Sequence, residues 1–422
     1  MLQSGPAGAE IVLRPRAEES ALAYLTENDV QDYINGICFK TGPPGRVGAE
    51  TEWLVRDPLR PREPVPLARL SALIEQIGPL PGNSAVTYEP GGQLELSSPP
   101  LPGPAAAHAA LAADIALIRT RLRTAGLLLD GNGLDPRRPP VRQLSLPRYA
   151  AMESYFHSAG CDTGPLMMCS TASLQVCLDI GADADDAARR WRLANRLGPL
   201  FVAAFANSPI HRGRTTGWRS TRWAIWDAID PTRTRPAACG DPVAAWTGYA
   251  LGARLMTIRD DTRPWVIDPG MAFGEWIARG GPRRPTREDL AYHLSTLFPP
   301  VRPRGWLEFR MIDALPARWW PVPIAVAAAL LDDPAASAAA EEALDRLAGG
   351  AEPDRGLWER AARAALADSD LAACARTCFT AAAEGLGRMD AAELAGVVDD
   401  YREHFVERGR CPADLQHLEI AA

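Results

Sequence analysis

Glu50 and Glu52 stand with one residue between them in Val47-Gly48-Ala49-Glu50-Thr51-Glu52-Trp53-Leu54-Val55. The spacing returns in Gln93 and Glu95 of Tyr88-Glu89-Pro90-Gly91-Gly92-Gln93-Leu94-Glu95-Leu96, and in Glu308 and Arg310 of Trp306-Leu307-Glu308-Phe309-Arg310. All three segments read as strands. Side chains alternate faces along a strand, so each polar pair projects to one side while Leu94, Leu96, Leu307, Phe309 and Met311 cover the other. Four carboxylates gathered on one face repel each other unless they are protonated or held by cations, and hard cations with oxygen ligands are the ordinary answer. A Mg2+ site is therefore the first expectation. Any one of these pairs alone reads equally well as the solvated face of an antiparallel sheet. Three pairs built from Glu, Gln and Arg favour the joint functional reading.

The surrounding elements must bring these strands together. Residues 18–37 predict an acidic helix, followed by the Gly/Pro-rich approach Lys40-Thr41-Gly42-Pro43-Pro44-Gly45 to the first strand. Helices are expected over 66–77 and 105–125, the latter lying across the sheet, with turn chemistry at Pro90-Gly91-Gly92 and an arginine- and proline-rich loop over 131–147. Residues 167–179 predict another strand, with Thr171, Ser173, Gln175, Cys177 and Asp179 on one face and Ala172, Leu174, Val176 and Leu178 on the other. Residues 183–206 read as helical, 208–236 as irregular, and 254–259 and 304–313 as further strands. After Pro316 the chain becomes Ala-rich with helical periodicity. The expectation is one catalytic domain over 1–422, with an α/β core over about 18–315 and a helical C-terminal layer over about 316–422.

With 422 residues and 47% hydrophobic composition, the chain can bury a large core. A net charge of -7 argues against nucleic acid as a partner. Lys40 is the only lysine, and the abundant arginines suit bidentate recognition of carboxylates and phosphates. The eight cysteines show no CxxC and no zinc spacing, which fits free thiols in a reducing cytosol. No secretory leader is visible at the start. The longest apolar run, 322–331, is far short of the ~20 residues that span a bilayer. A cytoplasmic protein without membrane partners is expected.

Neither a GxxxxGK[ST] loop nor a complete dinucleotide fingerprint is present. If ATP binds, metal on the carboxylates and arginines must hold its phosphates, an arrangement that phosphoryl transfer tolerates. Further candidates for substrate or nucleotide contact are Lys40, Gln175, Arg222, Arg233, Arg235, His293 and Arg304. A structural helix-end role is the simpler reading of His293, the arginines have aspartate neighbours to pair with, and Lys40 sits in what reads as a solvated loop.

Taken in order, 47–52, 89–97, Pro147-Arg148-Tyr149, 167–176 and 293–313 resemble the glutamate-cysteine ligase family, over roughly residues 35–400. The resemblance is closest to the actinobacterial branch that opens ergothioneine biosynthesis. It implies an α+β, glutamine-synthetase-like fold, in which a curved, mainly antiparallel sheet forms a funnel with helices outside. It also implies an enzyme that phosphorylates the glutamate side chain with ATP and passes the acyl group to the amine of cysteine. Carried onto matching positions, Glu50, Glu52, Glu95 and Glu308 are metal ligands, and Gln93 and Arg310 lie beside them as catalytic groups. A ligase of the same superfamily with another amine acceptor, or a catalytically silent binding protein, are the alternatives.

Overall fold

The computed structural model describes residues 24–260, 265 and 270–421. The strands are β1 (Arg46–Arg56), β2 (Ala85–Tyr88), β3 (Leu94–Ser97), β4 (Leu101–Pro102), β5 (Leu128–Asp130), β6 (Ser173–Asp179), β7 (Ile210–His211), β8 (Arg214–Thr215), β9 (Val301–Pro303) and β10 (Trp306–Asp313). Eight of them form one open sheet in the order β2-β3-β1-β6-β10-β9, with β4 and β5 also paired to β1. Every pairing is antiparallel. β1 is the hub: eleven residues long, it bonds to β3, β4, β5 and β6.

One face of the sheet is apolar. Val47, Leu94, Leu96, Leu174, Val176, Leu178, Leu307 and Phe309 are buried in a single core that continues into the C-terminal helices. Near the end of β10 an extra residue is accommodated between Phe309 and Ile312, so Ile312 takes the place opposite Leu174. This β-bulge breaks the strict alternation after Phe309, yet Met311 is buried in the same core as Leu307 and Phe309, as expected. The apolar run at 322–331 becomes the interior of the helix Pro321–Asp332, whose residues from Pro321 to Leu331 are all buried. Its prolines fall in the first turn, where their missing N–H groups break no helical bond. No single helix among the described residues is long and apolar enough to cross a membrane.

Several elements differ from expectation for local reasons. The first helix begins at Glu27, fixed by a reciprocal cap between Thr26 and Asp29, and ends in a π-turn, Ile34–Cys38. Residues 18–23 lie outside the described residues. The segment 167–170 is the end of a helix, Gly164–Ser170, started by Pro165, and the strand begins only at Ser173. Helix 183–206 is two helices, Ala184–Arg196 and Gly198–Ala204, divided where Pro199 cannot donate. Residues 208–236 hold the small β7–β8 hairpin and two short helices, Thr221–Asp227 and Pro231–Thr234, capped by Ser220 and Asp230. Residues 254–259 form no strand. Arg254 makes a lone bridge to Ala272, while Leu255 and Met256 bury themselves in two different apolar clusters.

His293, in the helix Arg287–Ser295, is buried against Phe273 with ring centroids 4.5 Å apart, and its Nε2 lies 2.9 Å from the Ala250 carbonyl. Burial pushes its pKa down to about 3. An unfolded histidine titrates near 6.5, so below that pH the unfolded chain holds a proton that the folded chain refuses. Stability is therefore complete above pH ~6.5 and falls toward pH 3, by up to about 1.4 kcal/mol per pH unit. Denaturant titrations of wild type and His293→Gln at pH 7.5 and 5.0 check this: the variant should lose markedly less stability on acidification, and parallel losses would refute it.

Candidate active site

The polar face of the sheet carries one continuous row of side chains across its strands. Cα register places Glu95 opposite both Thr87 and Glu52, Glu50 opposite Gln175, and Glu308 opposite both Cys177 and Arg302. Adjacent strands lie about 4.8 Å apart, so residues remote in sequence become neighbours along the row. The acids fall into two groups.

The first is Glu52, Glu89 and Glu95, each offering a carboxylate oxygen within 4.8 Å of the others. Glu52 is held by the Ser173 backbone N–H and hydroxyl, both at 2.7 Å, and by the Gln175 amide at 3.2 Å. Thr87 donates its hydroxyl to Glu95 at 2.5 Å. Among the described residues no arginine forms an ion pair with this group: of the two whose charge reaches Glu89, Arg310 is paired with Glu308 and Arg148 is bonded to Ser295. The group's negative charge is therefore only partly offset. Burial, reinforced by Glu52, pushes Glu89 up to about 8, and burial together with Glu89 holds Glu95 well above the usual carboxylate range.

The second group is Glu50, Cys177 and Glu308, again within 4.8 Å of one another. Glu308 is fully buried, and its Oε2 accepts from Arg302 Nε at 2.7 Å and Arg310 Nη1 at 2.9 Å. Arg304 Nη1 lies 3.7 Å from Oε1, which has no hydrogen-bond partner. Although burial opposes its ionisation, these three guanidinium groups hold Glu308 well below the usual carboxylate range. Glu50 goes the other way, to about 7, through burial and the Glu308 charge. Gln175 joins the two groups, donating to Glu52 while accepting from Arg310.

Beside Arg310 opens a cleft of about 490 Å³. Arg222 and Arg235 line it together with Trp223, Trp226 and Phe298. Arg222 donates to the Arg310 carbonyl at 2.9 Å and lies 3.9 Å from Asp313. Asp313 is itself fixed by the Asn207 N–H and the Ser208 and Ser220 hydroxyls.

The structure therefore brings together Glu50, Glu52, Glu95, Glu308, Gln175 and Arg310, with Arg304 at the margin and Arg222 and Arg235 on the cleft wall. Gln93 ends the same row; its Nε2 donates to the Thr171 carbonyl at 2.8 Å, while its buried Oε1 has no hydrogen-bond partner. Lys40 is exposed. Two candidates are braces elsewhere. Arg233 is buried on Asp230 and the carbonyls of Thr296 and Arg254, and His293 serves the core contact described above. Sequence reasoning missed Glu89, which falls opposite Gln93 once the β2–β3 hairpin is drawn, since the Glu89 N–H bonds to the Gln93 carbonyl. It also missed Arg302, which faces Glu308 across the β9–β10 turn. Hairpin pairing was the available signal for both.

The arrangement fits a hard divalent cation. An all-oxygen triad without an ion-pair partner and a Glu308 Oε1 without a hydrogen bond are what such an ion would satisfy. The sequence model of "Glutamate-cysteine ligase family 2" matches residues 46–417. This chain belongs to that family. Relatives include "Glutamate--cysteine ligase EgtA" of Mycolicibacterium smegmatis, 42% identical over 385 residues that cover 89% of this chain and 86% of the relative. The protein of the same name in Mycobacterium tuberculosis H37Rv is 42% identical, with 91% and 88% covered. The chloroplastic glutamate--cysteine ligase of Brassica juncea is 30% identical, with 76% and 68% covered. A solved bifunctional glutathione synthetase from Pasteurella multocida aligns with a TM-score of 0.49 and 14% identity, over 92% of this chain and 51% of that one. For a glutamate-cysteine ligase family member, the two acid groups have opposite stability signatures. Glu89→Gln removes buried repulsion and should stabilise the cation-free protein by on the order of 1–3 kcal/mol. Glu308→Gln strands Arg302 and Arg310 and should cost about 3–5 kcal/mol. Chemical denaturation in EDTA checks both; shifts of the same sign would contradict the division.

Proposed function

We propose that this protein is an ATP-dependent ligase that joins the side-chain carboxylate of L-glutamate to the amine of L-cysteine through a γ-glutamyl phosphate. The product is γ-glutamylcysteine, made for ergothioneine biosynthesis. Family membership and the names of the relatives support the bond and the branch. The observation that carries the chemistry is the split site: an acid triad without an ion-pair partner next to an arginine-clamped glutamate, whose partner Arg310 also lines a cleft of amino-acid size.

A carboxylate is a poor acyl donor because its leaving group is oxide, so it must first be activated as an acyl phosphate. Glu52, Glu89 and Glu95 on one side, and Glu50 with Glu308 on the other, would hold Mg2+. When bound, that ion neutralises charge on the nucleotide phosphates and on the group in transfer. The chain's own work is positioning. Ser173 and Gln175 fix the direction of Glu52, while Arg302 and Arg304 fix Glu308. Arg310, anchored on Glu308 and Gln175, presents its remaining donors at the cleft edge, where they stabilise charge building on the phosphoryl oxygens. One such contact contributes about 3 kcal/mol, or ~100-fold in rate. Arg222 and Arg235 supply cations for substrate α-carboxylates, and the tryptophans and Phe298 exclude the water that would hydrolyse an acyl phosphate.

The test is mass analysis of products from ATP, Mg2+ and glutamate offered with cysteine and with a panel of other amines. The expected outcome is γ-glutamylcysteine with ADP and phosphate. Equal or faster turnover of another amine without cysteine would reject the acceptor, and no glutamate-dependent ATP cleavage would reject the reaction.

A further inference from the structure

The acid triad needs more than three glutamates; it needs a frame that prevents them from moving apart. Glu89 stands immediately before the β2–β3 turn and Glu95 lies just after it. The turn closes on itself through the Gly92 N–H to the Glu89 carbonyl at 2.8 Å and the Glu89 N–H to the Gln93 carbonyl at 3.0 Å. Mutual repulsion of Glu52, Glu89 and Glu95 pushes this turn outward. What opposes it comes from the arginine- and proline-rich loop over 131–147, which the catalytic reading leaves without a role.

Gln143 is the centre of that opposition. Its backbone N–H donates to the Pro90 carbonyl at 2.7 Å, joined by the Leu144 N–H at 3.2 Å. Its side-chain Nε2 donates to the Gly91 carbonyl at 2.8 Å and to the Val65 carbonyl at 3.2 Å, while its Oε1 accepts from the Leu67 N–H at 2.9 Å. One amide thus ties the turn to the entry of the helix Leu67–Glu75, an element of the packed core. The fit is close. A Cβ on Gly92 would lie 2.5 Å from Gln143 Nε2, and one on Gly91 would lie 2.1 Å from the Cys169 carbonyl oxygen, so the glycines of Pro90-Gly91-Gly92 are what let the clamp seat.

We infer that Gln143 is a positioning residue that holds Glu89 within reach of Glu52 and Glu95, and so sets the affinity of this triad for its divalent cation. It touches neither substrate nor cation and acts through the turn it grips. The inference rests on the reading of the triad as a cation site. Supporting groups one step behind metal ligands ordinarily change metal affinity by about 10- to 100-fold when removed.

Two variants separate positioning from mere folding. Gln143→Glu keeps the acceptor for Leu67 but turns a carboxylate oxygen toward the Gly91 and Val65 carbonyls, and Gln143→Met keeps the length without either function. Mn2+ binding followed by electron paramagnetic resonance should weaken about tenfold or more in both. The Mg2+ concentration for half-maximal turnover should rise in parallel, while kcat at saturating Mg2+ stays within about twofold of wild type. Unchanged Mn2+ affinity in both variants, or a fall in kcat and thermal stability with unchanged Mn2+ affinity, would overturn the inference. Glu89→Gln serves as the reference. If wild type itself binds Mn2+ no more tightly than Glu89→Gln, the triad reading fails, and this inference fails with it.

Discussion

Repulsion among glutamates packed on one face of a sheet governs this structure. Glu50, Glu52, Glu89, Glu95 and Glu308 are drawn together by antiparallel register, and only Glu308 meets arginines at ion-pair distance. Buried like charge of this kind lowers stability, and such clusters are characteristic of binding sites. Burial and like charge raise Glu50 and Glu89 into the neutral range, where these groups can exchange protons for cations.

The asymmetry of the row follows from which strand each partner occupies. The β2–β3 side offers only hydroxyl and amide donors to its acids, whereas the β9–β10 side brings Arg302, Arg304 and Arg310. A charged substrate lying across the row therefore meets a cation-demanding end and a cation-supplying end, bridged by Gln175. This polarity suits a nucleotide whose phosphates need metal at one point and a guanidinium at another. The apolar core beneath makes it possible: the helix Pro321–Asp332 packs under the sheet and keeps the hub strand rigid while its other face carries charge.

Much of this was legible in the sequence because the period of two is unambiguous in β1, β3 and β6, and in β10 up to its bulge. The pairs at 50/52, 93/95 and 308/310 were found that way, and so was the apolar face. What was not legible depended on pairing. Glu89 looked like part of a turn, and only its opposition to Gln93 shows that its side chain joins the row. Arg302 looked like one of several arginines before a strand, and only the β9–β10 register sets it on Glu308. Alternation at 167–170 and 254–259 misled because burial can be periodic without a ladder: the first segment closes a helix begun at Pro165, and the second divides its apolar side chains between two clusters. Arg233 and His293 show the converse, chemically capable groups whose hydrogen bonds are consumed in holding the core.

The central claim is that these distant acids share cations in one cavity, and locating the ions tests it most directly. Crystals grown with Mn2+ and measured at its absorption edge should show anomalous density bounded by Glu52, Glu89 and Glu95, and a second peak between Glu50 and Glu308. Anomalous density elsewhere on the molecule, with both acid groups bare at saturating Mn2+, would contradict the account.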